Sequence, residues 1–277
     1  MTTVVLLVLL SALVHAAWNA ALKGQTDASA ASCAVIFGAA LVSALLAAIV
    51  GPGAVPLAAL FAVGLAGLVE GAYFVTVTKA LELLPLSAAY GISRGAGVLL
   101  VWPLSIAVFG ELATPLAILG AILLSLGLLA TASGASPKRG VAVALVAALT
   151  IGAYPVVYKQ ALAAGAPPFS LFALSLIVAL PIQVAALGET RWRRLRQAVA
   201  VAPVTLGVAA ALCAGSFLIF LIALTDGGAG RLTGLRNTSV LFASVFGYFT
   251  GDRVGRRGVV GAAAIALGAV LVALETA

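Results

Sequence analysis

Apolar runs of about 20 residues follow one another along the chain, at roughly 3–22, 29–50, 56–81, 86–109, 114–133, 140–163, 168–187, 199–224, 231–250 and 257–275. Gly, Pro or charge interrupts them, and the connectors, from "GPGAV" and "ELLPL" to "SGASPKRG" and "GETRWRRLRQ", leave no room for a soluble domain. A run of that length spans the hydrocarbon core of a bilayer. Inside lipid every backbone N–H and C=O needs an internal partner, so each run predicts a transmembrane helix. The pattern predicts an all-α membrane protein of ten transmembrane helices.

The polar positions inside the runs recur. "HAAWNAALK", His15 to Lys23, is echoed by "IGAYPVVYK", Ile151 to Lys159, which pairs Trp18 with Tyr154 and Lys23 with Lys159. "YFVTVTKAL" matches "SFLIFLIAL", Arg94 matches Arg236, and "FGELATPLAILGAILLSLG" matches "TGDRVGRRGVVGAAAIALG", pairing Glu111 with Asp252. The repeat divides the chain into residues 1–135 and 136–277, each holding five of the predicted helices. Because five is odd, the second copy enters the membrane from the opposite side. The halves are therefore expected to be inverted repeats, a transporter plan with substrate bound near the midplane between them. The first run contains "SALVHAA", which looks like a signal-peptide cleavage site. It has no basic stretch before it, however, and its echo assigns it to the fold.

Composition agrees with a lipid solvent. Of the 277 residues, 64% are hydrophobic and 8% charged, far more apolar surface than one soluble core could hide. The net charge of +7 does not point to nucleic acid, because the basic residues sit in connectors between apolar runs, where Lys and Arg orient membrane proteins. Nine of them, Lys138, Arg139, Arg191, Arg193, Arg194, Arg196, Arg253, Arg256 and Arg257, fall in three connectors that share one side of a ten-helix chain. The positive-inside rule makes that side cytoplasmic and places both termini outside. "RWRRLR" is read as part of this topology signal rather than as a lipid or partner site. Cys33 and Cys213 lie singly in apolar runs, so neither a disulfide framework nor a metal site is indicated. With no Walker loop, metal-ligand spacing or nucleophile elbow, neither ATP-driven transport nor enzymatic catalysis is expected, and no cofactor is called for.

Two five-helix halves, the "HAxWNxxxK"-like start, and a "GE" followed by a glycine-rich fifth helix resemble the EamA-type carriers of the drug/metabolite transporter superfamily. The resemblance covers the whole chain. It implies a multi-pass protein of the cell membrane, the inner membrane in a bacterium, that moves a small molecule by secondary transport. Relatives include amino-acid and other metabolite exporters, organellar sugar-phosphate carriers and, more remotely, four-helix small multidrug exporters. Many of them appear with cytoplasmic termini, so the charge count sets this chain apart. In the small multidrug exporters a seven-residue glycine spacing lies on the dimerising last helix. The same spacing at Gly120–Gly127 and Gly261–Gly268 implies that the fifth and tenth helices pack on each other within one chain, giving a monomer.

Symmetry helps to separate scaffold from site. Glu70 lies near mid-bilayer in the third run, and its counterpart in the second half is Cys213. A carboxylate there costs about 3 kcal/mol or more unless it has a wet cavity or a partner. It is read as a proton-coupling acid, as a counter-ion to a substrate ammonium, or as half of a structural ion pair. Arg94 and Arg236 recur in both halves, and their planar forks suit carboxylate or phosphate, as basic residues do in the resembling sugar-phosphate carriers. The alternatives for them are interfacial snorkelling or a salt bridge to Glu70. Lys79, unmatched in the second half, is either a snorkelling lysine or a substrate contact.

His15, Trp18 and Asn19 share one helical stripe, and Tyr154, Pro155 and Tyr158 form its echo. With Tyr73, Tyr90 and Trp102 they are candidates to line a cavity, against the simpler reading of packing or an aromatic belt. His15, which ordinarily titrates near neutral pH, is a second proton-coupling candidate beside Glu70. The reading favours export of amino acids or similar zwitterions. Exchange of phosphorylated or dicarboxylic metabolites and export of cationic drugs stand as alternatives.

Overall fold

The computed structural model describes residues 2–22, 25–50, 53–84, 86–131, 137–242 and 256–274, without the side chains of 2, 86, 87, 90, 131 and 256. Among the described residues all regular structure is helical. The elements are α1 (Thr2–Leu22), α2 (Ala28–Val50), α3 (Leu57–Leu83), α4 (Leu86–Phe109), α5 (Pro115–Thr131), α6 (Lys138–Ala163), α7 (Pro168–Ala186), α8 (Arg191–Val201), α9 (Pro203–Asp226), α10 (Ala229–Arg236) and α11 (Arg256–Leu274). Eight of them are long and apolar enough to cross a membrane, namely α1 to α4, α6, α7, α9 and α11. Helix α5 has a shorter apolar stretch, Pro115–Ala130.

Two predicted runs differ in detail. The eighth was expected to start at residue 199, but residues 199–201 complete the separate basic helix α8, and α9 starts at Pro203. Proline disfavours a helical residue before it, and Ala202 leaves the helical region at φ −141°, ψ 54°. The ninth run opens as α10, breaks in a turn at Asn237 and Thr238, and resumes over residues 239–242. At the break the Thr238 amide donates to the Leu235 carbonyl, a tighter link than the α-helical one. The rest of that run, together with Gly251, Asp252 and Arg253, lies outside the described residues.

The helices bury themselves chiefly across the boundary between the two halves. Helix α3 packs on α6 and α7, α9 packs on α1 and α2, α2 meets α7, and α5 meets α11. Small residues permit these approaches, because helices in lipid gain packing only where backbones come close. A Cβ on Gly67 would stand 2.6 Å from the Ser175 carbonyl oxygen of α7. On α5, a Cβ at Gly120 would lie 2.8 Å from the Gly268 oxygen and one at Gly127 2.7 Å from the Gly261 oxygen, both on α11. The expected contact between the fifth and tenth helices is thus present within the chain. Tyr158, Phe172, Phe217 and Phe220 are fully buried between the halves, while Phe61, Ile49 and Val260 are exposed on the outer surface.

Candidate substrate site

The core between the halves is not uniformly apolar. His15 of α1, Arg94 of α4, Tyr154 of α6, Ser216 of α9 and Arg236 of α10 are all buried. Their polar atoms converge on the imidazole of His15. Nη2 of Arg94 lies 2.8 Å from His15 Nε2, and Nη2 of Arg236 lies 3.3 Å from Nδ1. The Trp18 indole N–H donates to the same Nδ1 at 3.2 Å. Arg236 also donates to the Tyr154 hydroxyl at 2.9 Å and to the Ser216 hydroxyl at 3.1 Å, and Arg94 donates to Asn237 Oδ1 at 3.2 Å. The Arg236 guanidinium lies over the rings of Phe217 and Phe220, 4.1 and 4.4 Å from their centres. Among the described residues Arg236 has only neutral hydrogen-bond partners, and its Nε has none.

Donors outnumber acceptors in this cluster. A neutral imidazole has one N–H and one lone pair in its plane, so it can accept from a donor at one nitrogen only. Here an arginine N–H faces each nitrogen. No carboxylate is among the hydrogen-bond partners of Arg236 within the described residues.

Glu70 forms a second buried pair nearby. The Tyr158 hydroxyl donates to its Oε2, and Ser175 Oγ donates to the same oxygen at 3.4 Å. Its Oε1 is buried and unpartnered among the described residues. A ring path joins the two polar groups, since Tyr154 lies 6.0 Å from Tyr158, 5.7 Å from Tyr73 and 6.1 Å from Phe217, which stacks on Phe172 at 5.0 Å. His15, Trp18, Tyr73, Tyr154, Tyr158, Glu70, Arg94 and Arg236 are therefore assembled in one region. The considered salt bridge to Glu70 is not formed by Arg236.

Other expected residues stand apart. Lys79 pairs with Glu82 at 2.6 Å near the end of α3, half-exposed. Asn19 donates to the His15 carbonyl of its own helix at 2.7 Å. Trp102 packs against Gly230 at the start of α10, two turns along α4 from Arg94. Lys159 donates to the carbonyls of Leu224 and Thr225 at 2.8 and 2.9 Å, so it caps α9 rather than reaching a cavity. The Tyr90 side chain and Lys23 lie outside the described residues.

Comparison with known families matches residues 138–274 to the EamA-like transporter family. Over those residues the chain is EamA-like. One solved structure, described only as "Crystal structure of protein", shares 18% identity over 98% of each chain with a TM-score of 0.74. That likeness is one of fold, and it spans both halves of the chain. No curated protein matches it.

Several partners in this core carry little signal in the sequence. Ser175 and Ser216 are single small polar residues in apolar runs, a weak signal alone. Ser216 does sit next to Phe217, inside the repeated segment, and Asn237 follows the matched Arg236. In the sequence Glu111 stands out only as the repeat partner of Asp252. Gly110, at φ +63°, ends α4 in the left-handed conformation. Its neighbour Glu111 then accepts from the Ser105 hydroxyl and from the amides of Gly230 and Arg231 at 3.0 and 3.2 Å. A carboxylate there caps the positive end of α10, the helix that ends in Arg236.

Proposed function

We propose that this membrane transporter exports a small zwitterion, an amino acid or close analogue, by alternating access between two inverted five-helix repeats. The observation that carries the reading is the donor excess around His15. A substrate carboxylate between Arg94 and Arg236 supplies an anionic acceptor and takes the bidentate fork of either guanidinium. The unpartnered Oε1 of Glu70 then receives the substrate ammonium or a coupling proton. Tyr73, Tyr154 and Phe217 give the substrate side chain an apolar wall. The break beside Arg236 fits this picture, because interrupted membrane helices occur where backbone meets a transported ligand.

The convergence of two guanidiniums on one imidazole favours one second reading, a doubly charged phosphorylated or dicarboxylic substrate, with Glu70 then internal to the protein. Export of cationic drugs leaves both arginines without a role. The protein acts as a monomer in the inner membrane, its fifth and tenth helices having satisfied each other, and both termini face away from the cytoplasm.

A thermal-shift and competition screen of detergent-solubilised protein tests the reading. Amino acids stabilise the protein and their decarboxylated amines do not. Stabilisation by the amines to the same extent overturns the carboxylate site, and stabilisation by sugar phosphates alone selects the second reading.

A further inference from the structure

Away from the His15 cluster, a cavity of about 220 Å³ opens at the corner of α2, α3, α7 and α8, lined among others by Ser32, Thr78, Lys79, Glu82, Gln183 and Arg194. It sits where α3 and α7 end, on the side that carries the basic helix α8. Its polar groups are not all occupied by one another. Gln183 is 5% exposed, and its side-chain Nε2 has no hydrogen-bond partner among the described residues.

The other groups define what the cavity lacks. Glu82 is engaged, accepting from Ser29 at 2.8 Å and from Lys79 at 2.6 Å. Arg194 is engaged with Asp27 and the Leu187 carbonyl. The Thr78 hydroxyl donates to its own helix at the Phe74 carbonyl. What remains is donor capacity, the amide of Gln183 and the N–H groups of the Lys79 ammonium that do not reach Glu82. An acceptor-only ligand with several oxygens fits those donors, and Arg193 and Arg196, exposed on α8, add positive charge to the same side of the molecule. The depth agrees as well. Lys79 is four residues, about 6 Å, from the end of α3, and Trp192 is exposed on α8 as interfacial tryptophans are. Phosphate groups of lipid headgroups lie at that level, where basic pockets between membrane helices capture them.

We propose that the cavity between α2, α3, α7 and α8 is a phosphate-ester site held by Lys79 and Gln183, filled by the headgroup of an anionic lipid or by the same group on a free metabolite. It is separate from the central cluster and does not depend on what that cluster transports.

Native mass spectrometry of the solubilised full chain tests it, with wild type, Gln183→Leu and Lys79→Met, each first checked for monodisperse elution. The probes are phosphatidylglycerol, diacylglycerol as the phosphate-free lipid, and glycerol phosphate. Wild type is expected to retain one phosphatidylglycerol or one glycerol phosphate and no diacylglycerol, and each variant to bind about tenfold more weakly or less. Retention of the lipid without glycerol phosphate identifies a headgroup site, and displacement of the lipid by glycerol phosphate identifies a soluble ligand. Equal retention of diacylglycerol, or wild-type affinity in both variants, overturns the proposal.

Discussion

Arg236 donates to the Tyr154 hydroxyl at 2.9 Å while its guanidinium lies 4.1 Å from the centre of the Phe217 ring. The contact holds a planar cation at the meeting of α6, α9 and α10 and fixes the direction of its fork. Lysine keeps the charge and loses both the fork and the flat face over the ring. Arg236→Lys is therefore expected to weaken binding of a carboxylate substrate about 10- to 100-fold, the value of a charge-assisted hydrogen bond. Tyr154→Phe removes one neutral partner and should cost about fivefold. Calorimetric titration of solubilised protein measures both. Normal binding by Arg236→Lys returns this arginine to a packing role.

Glu70 and Cys213 occupy matched positions but differ in surroundings. The carboxylate has Tyr158 and Ser175 beside it, whereas Cys213 is a buried thiol in the core. Glu70→Gln keeps the shape and removes both the charge and the exchangeable proton. It is expected to abolish transport in proteoliposomes or to make the rate independent of pH, while Cys213→Ala transports nearly as wild type. Equal rates for wild type and Glu70→Gln across pH leave Glu70 as a structural acceptor for Tyr158.

The elements most legible in the sequence are those set by solvent. Long apolar runs admit one solution in lipid, and the glycine spacing at 120, 127, 261 and 268 names the residues at which α5 and α11 touch. The central site was legible in part, because His15, Arg94, Tyr154 and Arg236 are costly inside a membrane and stand at matched positions. Sequence alone left open which partners they choose. Ser216 and Asn237 are hydrogen-bonding residues of no fixed role, and only the packing of α9 and α10 brings them to the arginines. Lys79 reads the same whether it faces a cavity or Glu82, since both outcomes lie within reach of one long side chain. The break after Arg236 had only a weak local signal, the turn-favouring cluster Asn237, Thr238 and Ser239 in "RNTSV", which carries neither proline nor glycine.

The glycines of α5 should be intolerant of any side chain. At Gly127 a Cβ would stand 2.7 Å from the Gly261 oxygen and 2.8 Å from the Ile265 nitrogen, both backbone atoms. The helices must separate to admit it, and Gly127→Ala is expected to cost about 1–3 kcal/mol. Gly207→Ala is the control, since nothing lies within 4 Å of a Cβ there. A lowered midpoint for the first variant and an unchanged or raised one for the second, read by thermal unfolding in detergent, is the expected pair. Equal midpoints contradict the close crossing.

Acidification should release α8 from the rest of the fold. Arg194 donates from Nε and Nη2 to both oxygens of Asp27 at 2.7 and 2.8 Å. This bond, with help from the Ala30 amide, holds the Asp27 carboxyl below its ordinary value despite partial burial. The folded value is depressed, so the contribution is complete above the unfolded value, about 3.9, and is lost as pH falls through the folded value. Wild type is therefore expected to be more stable than Asp27→Asn at pH 7, with the gap closing below about pH 4. Thermal unfolding across that range reads the difference, and a gap that persists at low pH excludes Asp27 as its source.

Orientation follows from where the basic residues gather. Lys138 and Arg139 begin α6, the four arginines of "RWRRLR" lie on α8, and Arg256 and Arg257 begin α11. Helix α8 links the end of α7 to the start of α9 without crossing the membrane, and none of its residues is fully buried. Its inner side chains Leu195 and Ala198 pack against Cys33 and Leu187, while Arg193, Arg196 and Trp192 are exposed. An interfacial helix of this kind favours the anionic, cytoplasmic leaflet, at about 1 kcal/mol for each cation near the surface. On the proposed ten crossings, both termini are expected on the opposite side. A reporter that is active only outside the cytoplasm, fused after Ala277, should be active, and a cytoplasmic reporter at the same place should be silent. The reverse pattern inverts the orientation and places α8 and the phosphate-ester cavity at the outer leaflet.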